Sequence, residues 1–217
     1  MKKSIVILSS VAALIFCAGC SKAKDLLESL KDDSTPAGES TAASEESKTN
    51  QDTGLPSNAK TLTYDFGTMT AFGNMTNSST TKAASGTATY DNREWNYVNA
   101  SFHGSDDYNP SPYLALYAKE AKKVAMFGNI TAFGNVLKVS FTVTSSCSDT
   151  ASFVIDFGSQ ALGVSSETSG TQITKSGANE VSAPSGTHTH FAISSVNDSE
   201  GKLRNLNIAT LTVVYTD

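Results

Sequence analysis

Over residues 136–144 the side chains alternate: Val139, Phe141 and Val143 are apolar, and Lys138, Ser140 and Thr142 are polar. A period of two puts one set on each face of a pleated strand, with one face toward a core. Residues 151–157 repeat the pattern, with Phe153, Ile155 and Phe157 set against Ser152, Val154 and Asp156. The turn-rich stretch 145–149 between the two has hairpin length. Residues 187–196 predict a third strand with Phe191 and Ile193 inward. Residues 205–216 predict a long terminal strand whose apolar face changes partway, as at a bulge. Weaker patterns place strands at 61–66, 87–90, 95–102 and 170–175. Residues 113–126 allow a helix, through Ala115, Leu116, Ala118, Glu120, Ala121 and Lys122 after Pro112. They also allow two strands meeting near 119–121, which the surrounding β pattern favours. So many short, closely spaced strands predict an all-β domain over 60–217, a single jelly-roll-like β-sandwich.

One segment repeats. Phe66-Gly-Thr-Met-Thr-Ala-Phe-Gly-Asn-Met75 recurs 61 residues later as Phe127-Gly-Asn-Ile-Thr-Ala-Phe-Gly-Asn-Val136, with seven of ten positions identical. A single pair is too few for a solenoid. The Phe-Gly pairs read as equivalent corners, with glycine supplying backbone freedom and phenylalanine packing on the core. The other reading is a pair of neighbouring loops forming one binding rim.

The N-terminus has a different pattern. Lys2 and Lys3 precede an uncharged, mostly apolar run from Ser4 to Phe16, the layout of a secretory leader. The run is shorter than the roughly 20 apolar residues a bilayer-spanning helix needs. It ends in Leu14-Ile-Phe-Cys-Ala-Gly-Cys20. Ala18 and Gly19 before Cys20 resemble a bacterial lipobox, with Cys17 at the position where that family usually has leucine. The resemblance implies a cleaved leader over 1–19, a diacylglycerol thioether on Cys20 and an acylated new N-terminus. Ser21 rather than Asp after the cysteine favours the outer membrane or cell surface of the envelope. The alternatives are an uncleaved membrane helix and cleavage without lipid.

Residues 21–59 are dominated by Ser, Thr, Asp, Glu, Asn and Lys and contain no aromatic residue. Apart from a short helical pattern over 23–31 with Leu26, Leu27 and Leu30 on one face, they read as a disordered acidic tether. The chain therefore divides into a leader (1–19), a lipidated tether (20–59) and a β domain (60–217). Without Lys2 and Lys3, 14 basic residues face 21 acidic ones, a formal charge of −7. That balance argues against nucleic acid and against electrostatic attachment to anionic lipid. Of the three cysteines only Cys147 remains outside the leader and the anchor. It reads as a small buried group.

The candidate chemistry is sparse. Trp95 and Tyr97 would project from one strand face as an aromatic platform for a sugar ring, the alternative for Trp95 being core packing. Asp106, Asp107 and Tyr108 lie in the polar stretch His103-Gly-Ser-Asp-Asp-Tyr-Asn-Pro110. The two carboxylates with Asn109 could hold Ca²⁺, but the spacing is not that of an EF-hand, and a solvated turn explains it as well. His188 and His190 would share an outward strand face, too few for zinc without His103. No nucleophile elbow or phosphate loop is present. No enzyme activity, cofactor or metal is therefore expected.

The order of the C-terminal strands, with His190-Phe-Ala-Ile-Ser-Ser195 and Leu206-Asn-Ile-Ala-Thr-Leu-Thr-Val-Val-Tyr215, resembles small β-sandwich modules of bacterial surface proteins. Such modules often bind carbohydrate or mediate adhesion. Taken together, the sequence predicts a lipid-anchored envelope protein with a noncatalytic binding or adhesion module, a glycan being the ligand expected at Trp95, Tyr97, Asp106, Asp107 and Tyr108. The alternative is a structural envelope lipoprotein docked onto a protein partner.

Overall fold

A computed structural model describes residues 54–75, 84–104, 111–118, 124–196 and 204–217. In chain order the strands are β1 (Lys60–Asp65), β2 (Ala84–Tyr90), β3 (Arg93–His103), β4 (Tyr113–Ala118), β5 (Ala125–Asn129) and β6 (Asn135–Val143). They continue with β7 (Ser152–Gly158), β8 (Thr171–Gln172), β9 (Asn179–Ser182), β10 (His190–Val196) and β11 (Arg204–Thr216). A 3-10 turn, Phe66–Thr68, follows β1, and no α-helix occurs among the described residues. The all-β expectation therefore holds. Cys20 and the tether up to residue 53 lie outside the described residues.

The eleven strands form one antiparallel sheet curled into a half-barrel. Its path is β8-β7-β10-β5-β3-β4-β11-β6-β9, with β1 added on β11 and β2 on β3. The two separate stacked sheets of a jelly-roll-like sandwich are not shown, because the pairing is continuous from β8 to β9.

Strand β3 organises this path because it has three partners and only two edges. β2 lies along one edge, with Gly86 opposite Tyr97 and Ala84 opposite Ala100. β5 and β4 divide the other edge. β5 takes Trp95, Asn96, Tyr97 and Val98, and β4 takes Ala100, Ser101, Phe102 and His103. Asn99 stands at the division with φ +47°, a left-handed conformation that asparagine tolerates better than most residues. Its Nδ2 donates to the Val124 carbonyl at 3.1 Å, just before β5 begins, and its backbone N–H donates to Ser85 Oγ at 3.2 Å.

Strand β11 repeats the device. β6 follows one of its edges, while β4 and β1 share the other. The register shifts between Ile208 and Thr210, which is the bulge expected from the change of apolar face. Two arms result: β5-β10-β7-β8 leaves from β3, and β6-β9 leaves from β11 beside β1.

The arms face each other across the core. Phe141 of β6 meets Phe153 of β7 edge-on at 4.9 Å, and Tyr64 of β1 meets Trp95 of β3 at 5.5 Å. Such pairs add about 0.5–1.5 kcal/mol each beyond their burial. The hairpin expected around 145–149 is accordingly not formed. β6 and β7 belong to opposite arms and meet through side chains, and the connection between them crosses over. Two of its N–H groups bond β11, Thr144 N donating to Asn207 O at 2.9 Å and Ser148 N to Asn205 O at 3.1 Å. Alternation had identified the buried faces of these strands but not their partners.

Residues 113–118 and 125–129 are strands, as the β reading favoured, and 119–123 lie outside the described residues. β9 carried no sequence signal. The expected 170–175 strand shrinks to the two residues of β8.

Asn99→Val should destabilise the domain by about 2–4 kcal/mol, combining left-handed strain with a lost buried hydrogen bond. Asn99→Gly keeps the conformation and loses only the bond, at about 1 kcal/mol. Urea unfolding of both variants checks this, and equal losses would show that the backbone conformation contributes nothing.

Candidate functional site

The aromatic platform expected at Trp95 and Tyr97 is not available. Both side chains do project from one face of β3, but that face is the core. Trp95 is 0% exposed and Tyr97 6%. Trp95 stacks on Phe127 at 4.9 Å and meets Phe191 edge-on at 6.2 Å. The sequence showed a shared strand face, and only the curl of the sheet decides which side of it faces water.

Asp106, Asp107 and Tyr108 lie outside the described residues. The residues flanking that stretch pair across β3 and β4, His103 opposite Tyr113, with their rings parallel at 4.8 Å. His190 is buried rather than outward, because β10 runs between β5 and β7 with both faces covered. Its Nδ1 bonds Thr189 Oγ1 at 2.8 Å and its Nε2 bonds the Ile130 carbonyl at 3.0 Å. No group of metal-ligating residues occurs among the described residues. Cys147 is buried and its Sγ donates to Asn205 O at 3.1 Å. Burial pushes its thiol pKa up, which fits a small core group.

The Phe-Gly repeat is structural. Phe66, Phe72, Phe127 and Phe133 are all buried, and Phe72 meets Phe127 at 5.6 Å. The second halves of the two copies form matching corners. A Cβ on Gly73 would overlap the Thr89 carbonyl, and one on Gly134 the Thr216 carbonyl. The next residue then holds a neighbouring chain: Asn74 Oδ1 accepts from Thr89 N at 3.3 Å, and Asn135 Oδ1 from His188 N at 2.8 Å. The first halves differ, since Phe66-Gly67 forms the 3-10 turn and Phe127-Gly128 lies inside β5.

Two further places bring polar side chains together. On the outer face of β3, β4 and β11, Ser101 and Asn207 are buried, and Asn207 Oδ1 has no hydrogen-bond partner. The second place is an open cavity of about 460 Å³ at the seam of the half-barrel. Val154, Ile155 and Asp156 of β7 form one wall, Glu167 and Ser169 another, and Val181 of β9 closes the end. The size is within the ~300–1,000 Å³ typical of small-ligand clefts. The topology explains its position. β8 and β9 are the two ends of the sheet path but lie close in the chain, so the connection between them draws the ends together. Asn179 clasps that connection, its Oδ1 accepting from Thr174 N and its Nδ2 donating to Thr174 O at 2.9 Å. This cavity is the candidate site. Alternation placed its β7 residues on a strand but could not show that the two ends of the sheet path meet beside them, and β9 gave no periodic signal.

No family model matches the chain, and neither a curated protein nor a solved structure matches it.

Trp95 is the only tryptophan, so its fluorescence reports this core alone. Its emission should be blue-shifted and shielded from iodide in the native protein. Quenching close to that of the unfolded chain would return the ring to the surface.

Tyr64 gives a pH prediction. Burial, and next Asp91 nearby, push its pKa up to about 12 from the ordinary 10. Below the unfolded value the phenol is neutral in both states and stability is unaffected. Between about 10 and about 12 the unfolded chain ionises first, so stability falls as pH rises. Tyr64→Phe should remove that part of the alkaline loss. Because the hydroxyl is buried without a partner, the variant should be no less stable at neutral pH. Calorimetric melts of both proteins from pH 8 to 12 check both outcomes.

Proposed function

We propose that the protein is a lipid-anchored component of the bacterial envelope whose half-barrel is a noncatalytic binding module for a glycan. The observation that carries the anchor is the end of the apolar leader in Ala18-Gly19-Cys20. In this reading Cys20 holds the lipid, and residues 21–59 space the module from the headgroups. One acyl chain anchors only marginally, whereas two or three make release very slow. No helix among the described residues is long and apolar enough to cross a membrane. Ser21 favours placement at the outer membrane or cell surface.

The binding role is supported by the seam cavity, where polar side chains and an apolar wall converge. A polar ligand is favoured over an apolar protein-docking face, since Val164 is the one exposed large apolar side chain among the described residues. In the same reading the facing arms act as the two layers of a sandwich-like scaffold, supported by the contact of Phe141 with Phe153.

Intact mass of the membrane-extracted protein, beside a Cys20→Ala variant, tests the anchor. The expected result is a chain beginning at Cys20 with acyl mass added, and loss of both acyl mass and membrane association in the variant. An unmodified chain beginning near residue 20 would end the anchored reading.

A further inference from the structure

We infer that the seam cavity takes a sugar ring that carries no negative charge, held by Asp156 and Glu167 together with the open edge of β7. This rests on the proposed binding role and names the site and ligand class for it.

The first observation is the strand edge. β10 pairs with all seven residues of β7 on one side. On the other side β8 pairs only with Ser152 and Phe153. Beyond Phe153 no strand among the described residues covers this edge of β7, and the cavity begins there. The Ala151 carbonyl accepts from Ile173 N on this side. Alternation along the ladder therefore turns the Ile155 peptide groups the same way, toward the cavity. A bare strand edge is a row of donors and acceptors. Here it is flanked by side chains instead of another strand.

The second observation is charge. Asp156 and Glu167 both line the cavity, and neither has an ion-pair partner among the described residues. The lysines of the neighbouring segments are engaged elsewhere, Lys175 with Asp149 and Lys138 with Glu180. Two uncompensated carboxylates accept hydrogen bonds and repel anions, so a phosphate or uronic acid is disfavoured. A transition-metal ion is disfavoured as well, because the described residues bring no third His, Cys, Asp or Glu here.

The third observation is the mixed lining. Val154 and Val181 offer an apolar wall to the C–H face of a pyranose, while Ser169 and the carboxylates meet its hydroxyls. A donor-rich ring with one apolar face fits this set. An extended peptide paired to β7 would use the backbone edge and leave the carboxylates unused.

The test is calorimetric titration of the mature lipidated protein in detergent with maltose, chitobiose and digalacturonate. Wild-type protein should bind maltose or chitobiose and not digalacturonate. Asp156→Asn with Glu167→Gln should weaken binding at least tenfold, with the melting temperature unchanged. Ser169→Tyr, an exposed position that narrows the cavity, should weaken it as well. Sugar binding that survives all three substitutions overturns the cavity and leaves the glycan-binding role standing elsewhere. Binding of digalacturonate in preference overturns the charge argument. Failure of all three sugars to bind overturns both the site and the glycan role, while the Cys20 anchor is judged separately by mass.

Discussion

One edge of β3 serves two strands, and the rest of the sheet depends on how it does so. A strand edge offers one row of peptide groups, so β4 and β5 can both pair there only end to end. The chain must leave the edge after β4 and return to it for β5. Asn99 makes the interruption stable, because its left-handed backbone breaks the pleat and its amide captures the Val124 carbonyl where β5 begins. The division lets β4 lead on to β11 and β5 to β10, so the sheet continues in two arms with the core between them. The matching division on β11 at Ile208 and Thr210 makes the second arm diverge as well.

The core then fills the space that the divisions open. Its aromatic residues come from both arms and from both copies of the Phe-Gly repeat, with Phe72 touching Tyr64, Tyr90, Trp95 and Phe127. The glycines and asparagines of the repeat let the chain pass close to a strand end and hold it there. Conservation of seven positions between the copies is therefore explained by packing at two corners, with no need for a shared ligand.

What could be read from the sequence followed from period. Strong alternation at 136–144 and 151–157 located β6 and β7 within a residue. The same alternation could not say that these strands sit on opposite arms, because it is a local property and pairing is not. For the same reason Trp95 was open to both a surface platform with Tyr97 and core packing: two residues of one parity share a face, and nothing local distinguishes the concave face from the convex one. Asp91-Asn92 was a legible signal left unused. Both residues have positive φ, 52° and 56°, as a two-residue turn between β2 and β3 requires. The β7 wall of the cavity lay in a strand that alternation located, but the cavity itself was not legible, since it arises where the two ends of the sheet meet and its other walls come from 167–171 and the short β9.

That meeting also explains why a site arises there. A curled sheet that does not close leaves two edges, and an exposed edge invites association with other chains. β8 covers β7 for only two residues, and β9 ends the other side after four. The segment before β8 runs beside the uncovered part of β7 without pairing to it, which leaves a cavity in place of a ladder. Asp156 and Glu167 line this gap, and charged side chains beside an open edge disfavour the addition of another strand. In the proposed role the same charges would favour a ligand rich in hydrogen-bond donors. The protection of an open edge and the proposed recognition of a sugar would thus place the same requirement on these two positions.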